Sequence, residues 1–265
     1  MNRWAARTLD HSAGHYLAAV RSQGPVALIA TPRAKVQCRP LRDWAAIEGD
    51  AALSDFDHVP LTDEAGQSIT RVYVRGAGPA ELTEGMFMSA GAPLIDFLAT
   101  ADEQRFRLLV DGGAVTGLVT LSDVQKLPVY PLLFGLLIAV ELLLVDWLRQ
   151  ACGDRPDAWL VHLNPQQRRT IEKHWQDAQQ RDLAIDKLAL ASFSHEIQAA
   201  AAMDLFVGHE QQLVAIKGLK DLRNLVCHAA EFAPNPEQAL RIPPLARSAE
   251  ALSTWLSLRT QRSKA

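Results

Sequence analysis

Residues 109–124, Leu109-Val110-Asp111-Gly112-Gly113-Ala114-Val115-Thr116-Gly117-Leu118-Val119-Thr120-Leu121-Ser122-Asp123-Val124, decide the fold. Arg107 to Asp111 reads as a strand, and Val115 to Thr120 as another. Gly112-Gly113 between them is a hairpin turn, because glycine enters the left-handed backbone that a tight turn between twisted strands needs. Ser122 or Asp123 then caps a following helix. Upstream, Met86 to Met88 is strand-like, and Pro93 to Thr100 is a short helix with Leu94, Ile95, Phe97 and Leu98. The same order occurs earlier in the chain. Val26 to Ile29 reads as a strand closed by Thr31-Pro32, and Asp43 to Leu53 as a helix with Trp44 and Ile47 inward. Strands at Val59 to Asp63 and Ile69 to Val74 follow, joined by a turn at Glu64 to Gly66. Two copies of one strand-helix-strand-turn-strand unit imply an internal repeat of roughly fifty residues.

Leu109 to Gly113, followed by Gly117 to Val124, resembles the second half of a CBS motif. In that family a hydrophobic-Asp-x-Gly turn precedes a Gly-hydrophobic-hydrophobic-Thr-x-x-Asp segment. The resemblance implies a tandem pair packed as a small α/β module that holds an adenosine nucleotide in its cleft. It places Thr120 on the ribose or phosphate and Asp123 on the ribose hydroxyls, with Ser89, Ala90 and Arg107 as looser candidates for pocket walls. The chemistry suits these roles, since a carboxylate accepts from two hydroxyls and a helix N-terminus favours phosphate. The first copy departs from the pattern, with Arg71-Val72-Tyr73-Val74 and Ala77 at the corresponding places. At most one nucleotide site is therefore expected. The alternative for Thr120 and Asp123 is a helix cap with no ligand.

Pro128 and Pro131 carry the chain out of this module. Helical periodicity then predicts helices over Leu132 to Gln150, Gln166 to Asp182 or on to Leu190, Ser194 to Phe206, His209 to Phe232, and Leu245 to Leu258, with a break at Pro234-Asn235-Pro236. That set makes a helical bundle. In the fourth helix Leu219, Leu222, Leu225, Val226 and Ala229 form an apolar stripe, while Lys220, Asn224 and His228 share another line. Arg223 and His228 lie about 140° apart on an ideal helix, so one helix does not bring them together unaided.

Arg223-Asn224 followed by His228 resembles the signature of the HEPN superfamily, helical domains many of which are metal-independent ribonucleases. The resemblance implies a site assembled across a dimer, with His228 as general base or acid, Arg223 on the phosphate and Asn224 positioning. A histidine titrates near neutral pH, and an arginine offers a fork of donors that stays protonated. Where HEPN toxins paired with nucleotidyltransferases carry a Tyr two residues after the His, this chain has Ala230. The alternative is a salt-bridging Arg beside an unrelated His. Glu141, in the apolar Leu132 helix, is expected either to meet Arg223 or Lys220 or to stand at an exposed point.

The 265 residues carry 27 Lys and Arg against 30 Asp and Glu, a net charge of −3. That balance excludes long phosphate tracking, so any RNA contact is local. Three widely spaced cysteines form neither a disulfide framework nor a metal site, and the first residues lead into no apolar core. A cytoplasmic protein is expected. The stretch Leu132 to Val145 is interrupted by Glu141 and shorter than the roughly twenty apolar residues a membrane span needs, so it reads as a buried or dimer-forming helix.

The sequence thus predicts an α+β chain. Residues 1–127 would be a tandem CBS-like nucleotide-sensing module and 128–265 an all-α HEPN-like bundle. The expected function is a nucleotide-regulated, metal-independent endoribonuclease, homodimeric, cytoplasmic, away from the membrane and suited to stress response or defence. It would use Arg223, Asn224 and His228 on RNA, and Thr120, Asp123, Arg107 and Ser89 on an adenine nucleotide such as AMP, ADP or ATP. Catalysis would require no cofactor. The alternative is a non-catalytic regulator or scaffold whose bundle dimerises and docks a partner.

Overall fold

Two units share the chain, described in a computed structural model over residues 13–183, 185–227 and 233–262. One holds 24–129 and 233–243; among the described residues the other holds 13–23, 130–227 and 244–262. The division is therefore not one cut between 127 and 128. Helix α1 (Ala13–Arg21), ahead of the strands, goes with the later helices, and a short late segment goes with the strands.

The α/β unit contains β1 (Thr31–Pro32), β2 (Arg39–Pro40), β3 (His58–Thr62), β4 (Ile69–Val74) and β5 (Gly78–Glu81). It continues with β6 (Phe87–Ser89), α2 (Leu94–Leu98), β7 (Phe106–Asp111) and β8 (Ala114–Thr120). They form two sheets, ordered β2-β3-β4-β5 and β1-β8-β7-β6. Each sheet repeats one pattern: a parallel pair, then a hairpin, then an antiparallel edge strand. The edge strands are exchanged. β1 precedes the first copy yet pairs with β8 of the second, and β5 precedes the second copy yet pairs with β4 of the first.

The registers superimpose. His58 faces Val74 as Phe106 faces Thr120, and both hairpins shift register at the same place, after Leu61 and after Leu109. His58 and Phe106, counterparts in the two copies, pack with ring centroids 4.6 Å apart and planes tilted by 34°, so their contact lies on the internal two-fold. Around it Val72, Phe106 and Leu108 are buried, and Val74, Ala80, Leu82 and Met86 pack against them. A second cluster, Ile47, Leu53, Val59, Leu61 and Tyr73, fills the other side of the first sheet, where the Tyr73 hydroxyl donates to Glu48 Oε1 at 2.7 Å.

Three local expectations are corrected. Val26–Leu28 is a 3₁₀ turn, not a strand: Val26 and Ile29 are buried while Leu28 is exposed, a period of three. The helix expected over 43–53 is two 3₁₀ turns, Leu41–Ala46 and Ala51–Leu53, the second capped by Asp50, whose side chain accepts from Ala52 N–H. The helix after β8 is one 3₁₀ turn, Leu121–Gln125, whose N-cap is Thr120 rather than Ser122 or Asp123. The long helix waits until α3 (Val129–Cys152), with Pro131 tolerated in its first turn, where a missing N–H costs no bond.

In the helical unit α3 is the core. Leu132, Leu133, Leu136, Leu137, Val140, Leu144 and Leu148 are buried along it. Among the described residues it is the one helix long and apolar enough to cross a bilayer, and 56% of its most apolar stretch is buried in the protein. Gly135 lets α1 approach closely, since a Cβ there would sit 2.9 Å from Val20 Cγ2. The remaining helices are α4 (Pro165–Gln180), α5 (Phe193–Ala202), α6 (Glu210–Cys227) and α8 (Ile242–Arg262). Reciprocal capping starts α4 at Asn164–Gln167 and α5 at Ser192–His195. Between α6 and α8, α7 (Pro236–Ala239) forms one turn where the prolines predicted only a break, because Asn235 caps it by accepting from Gln238 N–H.

Gly117 marks the closest approach in the exchange of edge strands. A Cβ there would lie 2.9 Å from Thr31 O, a backbone atom with nowhere to go. Gly117→Ala is expected to destabilise the α/β unit by about 1–3 kcal/mol, read as a lower denaturant midpoint with an unchanged m-value.

Candidate functional site

A cleft of about 570 Å³ opens inside the α/β unit, within the range of small-molecule sites. The second copy supplies its polar floor. Thr120, at the end of β8, turns the chain into the 3₁₀ turn, and Asp123 reaches back so that Oδ2 accepts from Thr120 N–H at 2.6 Å and from Thr120 Oγ1 at 3.0 Å. Oδ1 receives Lys126 Nζ at 2.7 Å, and the same ammonium donates to Ile29 O at 2.6 Å. Asp123 is only 6% exposed, and this buried carboxylate serves as a cap and as half of an ion pair. Thr120 Oγ1 also lies 2.8 Å from Ser122 Oγ.

The rest of the lining comes from elsewhere in the unit. Thr31 and Lys35 come from and just after β1, Asp57 and His58 from the start of β3, and Arg105 and Phe106 from the start of β7. Burial holds the His58 imidazole below its ordinary pKa, with Arg105 acting in the same direction and Asp57 opposing. Its ring is therefore neutral at pH 7 and available as a flat, uncharged face beside Phe106. Alongside these stands the late segment, with Ala233, Pro234, Asn235, Pro236 and Ala239 forming one wall.

Of the predicted nucleotide residues, the fold brings Thr120 and Asp123 into the cleft and leaves Arg107 and Ser89 outside its lining. Arg107 points to the other side of β7, where it donates to Gly85 O at 2.7 Å and Thr100 Oγ1 at 2.8 Å. Ser89 Oγ accepts from Gly91 N–H and serves its own turn. Strand alternation decides this: Phe106 and Leu108 face the two-fold core, so Arg107 between them faces away. The same alternation could have found Phe106 and His58 from sequence, whereas nothing in the sequence joins 233–239 to residues more than a hundred positions earlier.

The corresponding positions of the first copy are apolar. Register equates Val74 with Thr120, Ala80 with Thr31, and Met86 with Gln37, which lines the open cleft. Val74, Ala80 and Met86 all pack into the apolar cluster around Phe106.

In the helical unit a second set of polar residues converges. Arg223 on α6, Glu196 on α5 and Glu141 on α3 are electrostatic neighbours. One oxygen each of Glu141 and Glu196, and Arg223 Nε, are buried without a hydrogen-bond partner. Glu141 therefore turns inward toward Arg223 and is not a charge at an exposed point, while Lys220 pairs with its neighbour Asp221. Burial raises the Glu141 carboxyl, with Arg223 opposing. Glu196 is pushed up to about 9, first by burial and then by Glu141, against Arg223 and Arg149. Asn224, beside Arg223, is exposed. His228, the third member of the predicted catalytic set, lies outside the described residues, as does Ala230.

No protein-family model matches the chain, and no curated protein matches it. On its own strand order and repeat, the first unit has the tandem arrangement that the resemblance implied. In this the α/β unit resembles a tandem CBS pair. Solved structures similar to this chain include the CBS domain of a bacterial CNNM/CorC family Mg2+ transporter, with TM-score 0.34 and 16% identity, covering 49% of this chain and 96% of that one. Another is such a domain in complex with ATP, with TM-score 0.32 and 19% identity, covering 45% and 96%. At these scores and identities neither likeness carries an argument about function.

Glu196 yields a pH test. Its folded pKa lies above its unfolded one, so the folded state holds an extra proton between about pH 4.5 and 9. Its contribution is present in full below pH 4.5 and is lost as pH rises through 9. Stability is expected to fall with rising pH across that window. Glu196→Gln is expected to flatten that slope, as measured by urea unfolding at pH 5, 7 and 9.

Proposed function

We propose that this chain is a nucleotide-responsive regulator, with an adenine nucleotide (AMP, ADP or an ATP-like ligand) taken up by the α/β cleft and the helical unit carrying the response. The observation that carries the reading is the asymmetry of the two copies. The first copy carries apolar Val74, Ala80 and Met86 at positions whose counterparts in the second line an open cleft presenting hydroxyls, a buried carboxylate and cations. Thr120, Ser122 and the remaining lone pairs of Asp123 suit ribose hydroxyls. Lys35 and Arg105 suit phosphate oxygens, the arginine as a planar fork. The Phe106 and His58 rings offer a base an aromatic face.

For the helical unit, a second reading is metal-independent cleavage of RNA by a cytoplasmic homodimer, using Arg223, Asn224 and His228. It is favoured by the position of Arg223, whose Nε is buried and whose charge acts on the inward-facing carboxyls of Glu141 and Glu196. A role in stress response or defence rests on the HEPN resemblance alone. In the other class of function, the bundle dimerises and docks a partner without chemistry.

Isothermal titration with AMP, ADP and ATP separately is expected to show one site per chain for at least one of them. Thr120→Val, which keeps the shape and removes one hydroxyl, is expected to weaken it about tenfold, as fits the loss of one good hydrogen bond. Unchanged affinity in that variant removes Thr120 from the site. The output is tested on labelled single-stranded RNA in EDTA, with and without the bound nucleotide. Cleavage lost in both Arg223→Ala and His228→Ala supports the nuclease reading, and no cleavage under any condition leaves the docking role.

A further inference from the structure

The late segment 233–239 is out of place by sequence. It is flanked on both sides by helices of the helical unit, α6 and α8, yet it belongs to the α/β unit. Its one-turn helix α7 packs against the 3₁₀ turn Leu121–Gln125, the turn that carries Ser122 and Asp123 and is capped by Thr120. Ala233 and Ala239 are buried at 3% exposure, and together with Pro234, Asn235 and Pro236 they face the cleft. This wall is pre-shaped. Two prolines fix their own φ, Asn235 Oδ1 accepts from Gln238 N–H at 2.9 Å, and Ala239 and Leu240 N–H close the turn on Asn235 and Pro236 carbonyls at 3.0 Å. The small side chains at 233 and 239 leave the cleft its volume, where a larger residue would fill it.

We propose that residues 233–239 are a ligand-contacting wall of the α/β cleft, so that occupancy of the cleft is read by this segment and passed to the helices it joins. The proposal rests on the nucleotide reading of the cleft. A nucleotide seated on Thr120 and Asp123 touches α7 as well, and the segment then cannot leave the cleft without breaking ligand contacts. Ligand affinity and the docking of 233–239 are linked by one coupling free energy, in whichever direction it is measured. In sequence the segment lies between the helix bearing Arg223 and Asn224 and α8.

The test uses the full chain and two measurements. Titration with AMP, ADP and ATP first establishes which binds. Hydrogen exchange is then followed at the amides of 238–241 with and without that nucleotide at saturation, using the β3–β4 hairpin as the internal reference. The expected result is exchange slowed about tenfold or more at 238–241, equivalent to about 1.4 kcal/mol, beyond any change in the hairpin. A companion variant, Ala239→Leu, is expected to lower nucleotide affinity by about tenfold or more while leaving the unfolding midpoint of the hairpin amides in place. Binding with unchanged exchange at 238–241 overturns the wall and leaves the nucleotide reading intact. Binding of none of the three by the wild-type chain removes the nucleotide reading and the proposal with it.

Discussion

The reciprocal loan of edge strands is the constraint on which the α/β unit depends. Neither copy of the repeat completes its own sheet: β1 closes the second and β5 closes the first. An unpaired strand edge exposes a row of backbone donors and acceptors, and the exchange covers one edge on each sheet with a strand from the same chain. The copies therefore fold as a pair. The pairing also fixes the two-fold at His58 and Phe106, and it sets Thr31 beside Leu118 at the mouth of the cleft. Gly117 is the position where that closure leaves no room for a side chain.

Much of this was legible in the sequence. The Gly112-Gly113 hairpin, the repeat and the mismatch between Thr120 and Val74 follow from period-two alternation and glycine placement, both local properties. Val26 and Ile29 misled because two apolar residues three apart suit a 3₁₀ turn as well as a short strand. The CBS resemblance makes Arg107 a looser candidate for the pocket wall, but its place between Phe106 and Leu108 sends it to the opposite face. Asp123 was assigned a ligand role, and here it also holds the turn together with Thr120 and Lys126. Within the segment 233–239, Pro234-Asn235-Pro236 reads as a break because two prolines dominate it. That it docks on a turn at residues 121–125 is a tertiary fact with no local signal.

The helical unit shows a different economy. α3 is apolar almost all round, yet Glu141 sits within it and faces Glu196 and Arg223. A half-buried arginine near two carboxyls is electrically balanced only when one of them keeps its proton, which is the state Glu196 is driven toward. Such a cluster is poorly tolerant of change, since removing the guanidinium would leave two acids facing each other in an apolar interior.

The packing of the first copy also bears on how the protein can respond to concentration. With Met86 and Val74 at the positions of Gln37 and Thr120, the duplication no longer supplies two equivalent sites that could influence one another. A single chain would then follow a hyperbolic saturation curve with a Hill coefficient of one. Any steeper, threshold-like dependence would have to arise between chains, so the shape of a binding isotherm reports on assembly rather than on the internal symmetry that the sheets preserve.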